Sequence, residues 1–159
     1  MYQDYKDLLS AFHAHGVKYL IVGGYAVIFH AQPRFTKDID LFIKADLANG
    51  QAVYAALASF GAPLTGIRPE DFAEPGCFFR FGRDPRGFDI LPHLTGVEFD
   101  AAWDRRVEGL LDQATGLTVP FISKEDLISA KLASGRPQDL ADADAVQKAL
   151  DSQKPKLPA

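Results

Sequence analysis

Three aspartates, Asp38, Asp40 and Asp89, occur in settings that suit carboxylates with a chemical task. Asp38 and Asp40 lie two residues apart in DIDLFI, which alternates like a β-strand, so both side chains point to one face, roughly 6–7 Å apart at the backbone. Asp89 lies between apolar residues in FDIL, and a buried acid is costly unless it is paired or metal-bound. Such oxygen ligands suit Mg²⁺, and two ions can stabilise both the attacking and the leaving oxygen of a phosphoryl transfer.

Each of these acids also has a simpler explanation. Asp38 and Asp40 could be a solvated pair on a strand at the edge of a sheet. Asp89 could form a salt bridge to an arginine such as Arg80 across a hairpin. The choice between these explanations and a metal site depends on the residues nearby.

The residues before the first acid pair indicate that phosphate binds beside it. Gly23-Gly24 ends a buried strand and opens a helix, so the backbone can approach a phosphate closely at the helix N-terminus. The loop that follows holds Arg34, Thr36 and Lys37, which supply positive charge and a hydroxyl group. The glycines could instead form only a tight turn, and the loop could be polar simply because loops usually are.

Helices and strands must alternate along the chain to position these residues. Asp46 is a suitable N-cap for a helix that reaches Phe60, and Ser123 caps a later helix with Asp126 three residues on. The segment 61–76 is rich in Pro and Gly and reads as connection, and Gly82-Arg83-Asp84-Pro85-Arg86 joins two strands in a hairpin. The hydrophobic pattern predicts helices at 5–12, 25–30, 46–60, 99–107, 123–134 and 138–150, and strands at 17–22, 38–43, 77–81, 87–91 and 117–122.

This order of elements predicts an α/β (α+β) fold, a mixed β-sheet with flanking helices. We expect a single domain over residues 1–150, with the catalytic sheet at about 17–122 and C-terminal helices at about 123–150. Residues 151–159 should form a frayed tail, since they end the chain and include two prolines.

The composition is that of an ordinary globular protein, with 47% apolar and 24% charged residues among 159. A net charge of −4 gives no global sign of nucleic-acid binding, although Arg80, Arg83 and Arg86 form a candidate local basic patch. The single cysteine, Cys77, excludes an internal disulfide and a thiolate metal cluster. The N-terminus has no signal-peptide core and no apolar run approaches the ~20 residues of a membrane helix, so we expect a cytoplasmic protein without a membrane partner.

The motifs resemble the signature of the DNA polymerase β-like nucleotidyltransferase superfamily. The matching pattern is Ile21-Val22-Gly23-Gly24, a spacer over 25–37 at the long end of the usual range, and then Asp38-Ile39-Asp40-Leu41. Phe88-Asp89-Ile90-Leu91 resembles the strand that carries the third carboxylate of that superfamily. More narrowly, RFTKDIDL (34–41) and the late stretch 123–142 resemble the minimal, AbiEii-like bacterial nucleotidyltransferases of toxin–antitoxin and phage-defence loci.

The resemblance implies a nucleotidyltransferase fold with a C-terminal helical segment and a two-metal mechanism. Asp38 and Asp40 would hold Mg²⁺ (or Mn²⁺) on the triphosphate, and Asp89 would complete a second metal site and help to activate an acceptor hydroxyl. Gly23 and Gly24 would bind phosphates. Transition-state charge would be spread over the metals and the two basic residues of the loop, Arg34 and Lys37.

The late helices add one further candidate ligand. Lys131 would bind nucleotide phosphate according to the resemblance, although a helical lysine is usually solvated. Asp139 and Asp142 lie in the first turns of the last helix, where the helix dipole alone favours acidic residues.

These observations predict an enzyme that moves a nucleoside monophosphate from an NTP such as ATP to an acceptor hydroxyl. The acceptor could be tRNA, a tyrosine or serine of a partner toxin or antitoxin protein, or a small molecule. The alternative is a non-catalytic antitoxin or regulatory binding module that keeps the same fold, and the retention of all three acids argues against it.

Overall fold

One six-stranded mixed sheet organises the chain, in a computed structural model that describes residues 2–83 and 86–153. The strands are β1 (Tyr19–Val22), β2 (Ile39–Ile43), β3 (Phe79–Phe81), β4 (Phe88–Leu91), β5 (Val107–Asp112) and β6 (Leu117–Phe121), in the spatial order β3-β4-β2-β1-β6-β5. β2 runs antiparallel to β1 and parallel to β4, while β1 runs parallel to β6. The predicted fold class, a mixed sheet with flanking helices, is therefore confirmed.

The central strands are apolar because they lie inside the sheet and are covered on both sides. All four residues of β1 are buried, and the inward residues Ile39, Leu41 and Ile43 of β2 are fully buried. Asp40 and Phe42 point to the opposite face, as the period-two pattern predicts. The acid-bearing face of β2 is thus held in place by a rigid apolar layer beneath it.

Five of the helices form two groups, each held together by contacts among its own members. α1 packs on α3, and α2 packs on both α5 and α6, which also pack together. Their bounds are α1 (Gln3–Ala14), α2 (Gly23–His30), α3 (Leu47–Phe60), α4 (Phe99–Asp104), α5 (Lys124–Ser134) and α6 (Pro137–Ser152), with a 3₁₀ helix at Pro69–Ala73. Within the described residues, no helix is long and apolar enough to cross a membrane.

Two predicted helix caps are confirmed. The Asp46 side chain accepts a hydrogen bond from the backbone N–H of Asn49 at 2.7 Å, at the start of α3. The Ser123 hydroxyl accepts one from the N–H of Asp126 at 3.1 Å, at the start of α5. Each cap satisfies a backbone donor that has no partner within its helix.

The helix predicted over 99–107 is wrong at its C-terminal end. α4 ends at Asp104, and Val107 begins the edge strand β5, which the sequence did not predict. The buried position of this strand is Gly109, where any Cβ would collide with the stacked rings of Phe29 and Phe121. Because the inward residue has no side chain, the strand lacks the apolar alternation that would have identified it.

The remaining differences are smaller. The segment predicted as connection contains the 3₁₀ helix, which buries Phe72 completely. The β3–β4 hairpin is confirmed, although Asp84 and Pro85 of its loop lie outside the described residues. α6 continues to Ser152, so the first two residues of the predicted frayed tail are helical, and residues 154–159 lie outside the description.

Candidate active site

The turn from β1 into α2 brings backbone close to the acid face of β2. Val22 pairs with Asp40 in the β1–β2 ladder, and Gly23 follows with a left-handed φ of +66° that begins the helix. A Cβ on Gly23 would overlap the Asp40 carboxylate, and one on Gly24 would overlap the Thr36 side chain. The glycines therefore permit both the turn and the close approach.

Asp40 and Asp89 are direct neighbours across the parallel strands β2 and β4. Burial, the neighbouring charge of Asp89 and a hydrogen bond to that side chain raise the pKa of Asp40 to about 7, partly offset by the positive charge of Lys131. Two acids placed side by side in a poorly hydrated position favour a proton or a cation between them.

Asp89 also forms the salt bridge that the simpler explanation predicted. Arg80 lies opposite Asp89 in the β3–β4 ladder, and its guanidinium donates to both carboxylate oxygens, Nε to Oδ1 at 2.9 Å and Nη2 to Oδ2 at 3.2 Å. The Arg80 side chain is 62% exposed and that of Asp89 only 8%. The ion pair thus joins an exposed cation to an acid in the floor of the site.

Asp38 lies just before β2, at the base of the β3–β4 hairpin. Its Oδ1 would be 2.9 Å from a Cβ placed on Gly87. The Gly87 carbonyl accepts a hydrogen bond from the Tyr5 hydroxyl of α1 at 2.6 Å. Burial and the nearby Tyr25 raise the pKa of the Tyr5 phenol, so this hydroxyl keeps its proton and remains a donor.

The loop between α2 and β2 is tied to the last helix. Arg34 donates to Asp142 through Nη2 at 3.0 Å, and its Nε lies 3.0 Å from the other carboxylate oxygen. Thr36 packs against Gly24, whereas Lys37 is exposed at the rim. This contact fixes the basic loop relative to the C-terminal helices.

Lys131 is not solvated, and Asp139 and Asp142 do more than complement a helix dipole. The Lys131 ammonium lies 2.9 Å from Asp142 and 3.5 Å from Asp139, with 11% of its side chain exposed. Both aspartates are almost fully buried, and Arg136 also contacts Asp139 at 2.8 Å. The dipole explanation missed the pairs with Lys131 because Lys131 lies on α5, whereas Arg136 is the N-cap of α6 itself, three residues before Asp139.

All nine predicted site residues line one cleft of about 600 Å³. They come from five segments: the β1–α2 turn, the loop before β2, β2, β4 and α5. The cleft also contains residues that the sequence did not predict as site residues: Phe78, Arg80, Leu91, Arg136, Gln138 and Asp139. Arg80 was expected beside Asp89 as a salt-bridge partner, and the alternation of Asp89 and Leu91 along β4 could have indicated Leu91. Arg83 and Arg86 of the suggested basic patch line a different recess.

The three carboxylates supply the oxygen ligands that a divalent cation prefers, although all three do not surround one point. Within residues 2–83 and 86–153, no three His, Cys, Asp or Glu side chains are arranged to hold a metal ion together. Asp89 faces Arg80, and Asp38 packs against Gly87. Mg²⁺ needs only one or two carboxylates when phosphate and water supply its other ligands. The absence of a Cβ on Gly23 makes room for the Asp40 carboxylate itself, and Asp38, Asp40 and Asp89 all line the same cleft, so the donor set fits this ion.

Comparison with known proteins gives a similar solved structure and a matching family. A solved structure, that of the lincosamide antibiotic adenylyltransferase LnuA with lincomycin bound, matches with a TM-score of 0.55 and 18% sequence identity, covering 94% of this chain and 98% of that one. The chain belongs to the family described as "Nucleotidyltransferase of unknown function (DUF6036)", whose model matches residues 3–154. No curated protein matches the chain. The predicted nucleotidyltransferase superfamily is therefore confirmed, and the AbiEii-like subtype stays a prediction.

Proposed function

We propose that the protein transfers a nucleoside monophosphate from an NTP to a hydroxyl group, in a Mg²⁺-dependent reaction that releases pyrophosphate. The observation that carries this proposal is the single cleft in which the glycine turn, the basic loop, Asp38 and Asp40 meet Asp89 from a later strand. The family description supports it at the level of nucleotidyl transfer.

The acids would bind the metal and the acceptor. Asp38 and Asp40 would hold Mg²⁺ (or Mn²⁺) with the triphosphate, and Asp89 would complete a second site. When bound, the ions would neutralise charge on the transferred group and on the leaving pyrophosphate. The acceptor oxygen forms a bond to the α-phosphorus while the bond to the bridging oxygen of the β-phosphate breaks, and Asp89 accepts the hydroxyl proton.

The opposite wall of the cleft would bind the triphosphate. The backbone at Gly23 and Gly24 lies at the N-terminus of α2, where N–H groups and the helix dipole favour anions. Arg34 and Lys131 enter the same cleft in fixed orientations because Asp142 contacts both. Thr36 and Lys37 would add a hydroxyl and an exposed charge at the rim.

The acceptor is the open part of the proposal, with tRNA, a partner protein side chain and a small molecule as candidates. The likeness to LnuA, whose name gives a lincosamide antibiotic as its acceptor, motivates the small-molecule test. A toxin–antitoxin or defence role is supported only by the resemblance of RFTKDIDL (34–41) and of the stretch 123–142. A cytoplasmic location is part of the same proposal and is supported only by the absence of a signal-peptide pattern and of a membrane-length apolar run in the sequence.

The test uses NTPs labelled in either the α- or the γ-phosphate, with Mg²⁺ and each acceptor class in turn. We expect label from the α-phosphate in the acceptor, stoichiometric pyrophosphate, and loss of both with Asp40→Ala. Asp144→Ala, an exposed position on α6 outside the cleft, is the matched control and should stay active.

Two results would contradict the proposal. Transfer of the γ-label would show phosphoryl transfer instead. A D40A variant that still performs the cellular function in full would favour the binding-module alternative.

A further inference from the structure

The salt bridge between Arg80 and Asp89 joins groups with very different surroundings. Asp89 is held at the floor of the cleft by β4, whereas Arg80 extends from β3, the last strand at one edge of the sheet. The Arg80 guanidinium also lies 5.5 Å from the centre of the Phe78 ring, which is 55% exposed and lines the same cleft. Arg80 therefore has a second favourable contact, with the Phe78 ring, besides its ion pair with Asp89.

The ion pair offsets the repulsion between two neighbouring carboxylates that exists when no metal ion is bound. Asp40 and Asp89 are adjacent in the ladder and both are shielded from water, so two negative charges there are unfavourable. Lys131 acts on Asp40 from the helical side of the cleft, and Arg80 neutralises Asp89 from the strand side. Arg80 donates to both oxygen atoms of Asp89, so a metal ion that binds these oxygens competes with the guanidinium for them.

We propose that Arg80 is the resident counter-ion of Asp89 and exchanges with a divalent cation when metal and nucleotide enter the cleft. This inference rests on the proposed function, because it assumes that Asp89 is a metal ligand. Arg80 is then a positioning residue: it holds the third carboxylate back until a competing cation arrives.

The test is a Mn²⁺ titration of the nucleotide-free protein, followed by the electron paramagnetic resonance signal of the free ion. The comparison uses wild type, Arg80→Gln, and Arg83→Gln as the control, because Arg83 is exposed on the same hairpin but lies outside the cleft. We expect R80Q to bind Mn²⁺ about tenfold more tightly than wild type, the strength of one hydrogen-bonded ion pair to a carboxylate. R83Q makes the same change in net charge and should bind like wild type.

Asp89→Asn completes a double-mutant cycle with R80Q. In the D89N background the substitution at Arg80 should no longer change Mn²⁺ affinity, since the acid that the two cations share is gone. Arg80→Lys keeps the charge but loses the bidentate contact with the carboxylate, so its Mn²⁺ affinity should fall between those of wild type and R80Q. If R80Q does not fold, R80K takes its place in the comparison.

An unchanged or weaker Mn²⁺ affinity in R80Q and R80K, an equal gain in R83Q, or no Mn²⁺ binding in any variant would overturn the inference. The readout does not depend on turnover. If R80Q gained affinity but no acceptor received label, the proposed transfer would fail and the exchange would stand. If label reached an acceptor but R80Q did not gain Mn²⁺ affinity, the proposed transfer would stand and the exchange at Arg80 would fail.

Discussion

Gly23 is the residue where a backbone requirement and a site requirement coincide. Its φ of +66° disfavours any L side chain, and a Cβ there would overlap the Asp40 carboxylate. Gly116 has nearly the same φ, +71°, with no atom near the position of a Cβ. Comparing substitutions at the two glycines therefore separates the effect of backbone strain from the effect of a collision with Asp40.

We predict that Gly23→Ala lowers kcat/KM by about a hundredfold or more, because it displaces a carboxylate that must be positioned within an ångström. Gly116→Ala should cost about 1–2 kcal/mol of stability from the left-handed backbone and leave the activity intact. Label-transfer kinetics of both variants measure kcat/KM, and urea denaturation measures their free energies of unfolding. Equal activity in the two variants would show that the collision does not matter.

The raised pKa of Asp40 predicts a pH effect on stability without metal. Its ordinary value is 3.8 and its value in the fold is about 7, so between these values the folded protein keeps a proton that the unfolded chain releases. The stability associated with the protonated form is lost as the pH rises toward and through 7. We therefore expect Asp40→Asn to stabilise the protein more at pH 8 than at pH 5, by on the order of 2 kcal/mol.

Urea denaturation in EDTA at the two pH values measures this difference. Asp144→Asn, which removes an exposed acid from α6, should show the same stability relative to wild type at both. A D40N effect that does not depend on pH would mean that Asp40 is ionised at little cost throughout this range.

At the scale of elements, the pairing of α5 with α6 and the loop before β2 builds the basic wall of the cleft. Asp142 is 2% exposed and contacts Arg34, Lys131 and Gln138, which come from three different segments. It neutralises both cations while fixing their directions. One buried acid therefore serves both the packing and the site.

We predict that Asp142→Asn costs about 3 kcal/mol of stability, because it leaves two partly buried cations without a shared counter-ion. The KM for the nucleotide should rise by about tenfold, with a smaller change in kcat, since the substitution loosens binding groups rather than the acids. Denaturation and initial-rate kinetics measure the two effects. Asp144→Asn, in an exposed pair with Lys148 on the same helix, should match wild type in both.

At the scale of the whole molecule, the site and one edge of the sheet are separate. The cleft is formed around β1, β2 and β4, whereas β5 lies at the far edge beyond β6. Gly109 of β5 lies under the stacked rings of Phe29 and Phe121, whose centres are 3.9 Å apart. None of these three packed residues, Gly109, Phe29 and Phe121, lines the cleft.

We predict that Gly109→Ala lowers the free energy of unfolding by about 1–3 kcal/mol through overpacking, while kcat and KM stay near the wild-type values below the melting temperature. Thermal denaturation and activity at a low temperature measure this. A loss of activity in a folded G109A variant would show that the far edge and the cleft are coupled.

Much of this architecture follows from local patterns in the chain. Strand alternation in DIDLFI and FDIL, caps at Asp46 and Ser123, and the glycine pair each depend on neighbours within a few residues. Such patterns act through backbone period and nearby hydrogen bonds, so they can be recognised before the fold is known. They predicted five of the six strands in the described part of the chain and eight of the residues that line the cleft, whereas Lys131 was predicted from the family resemblance.

Contacts between distant segments required the folded structure. Arg34 and Asp142 are separated by 108 positions, and Arg80 could be one of several partners for Asp89 until the strand register places them opposite each other. β5 was not predicted because its inward residue is a glycine, which packs beneath the rings of Phe29 and Phe121. In each case the free energy comes from charge pairing or packing between groups that only the fold brings together, and no local pattern records that proximity.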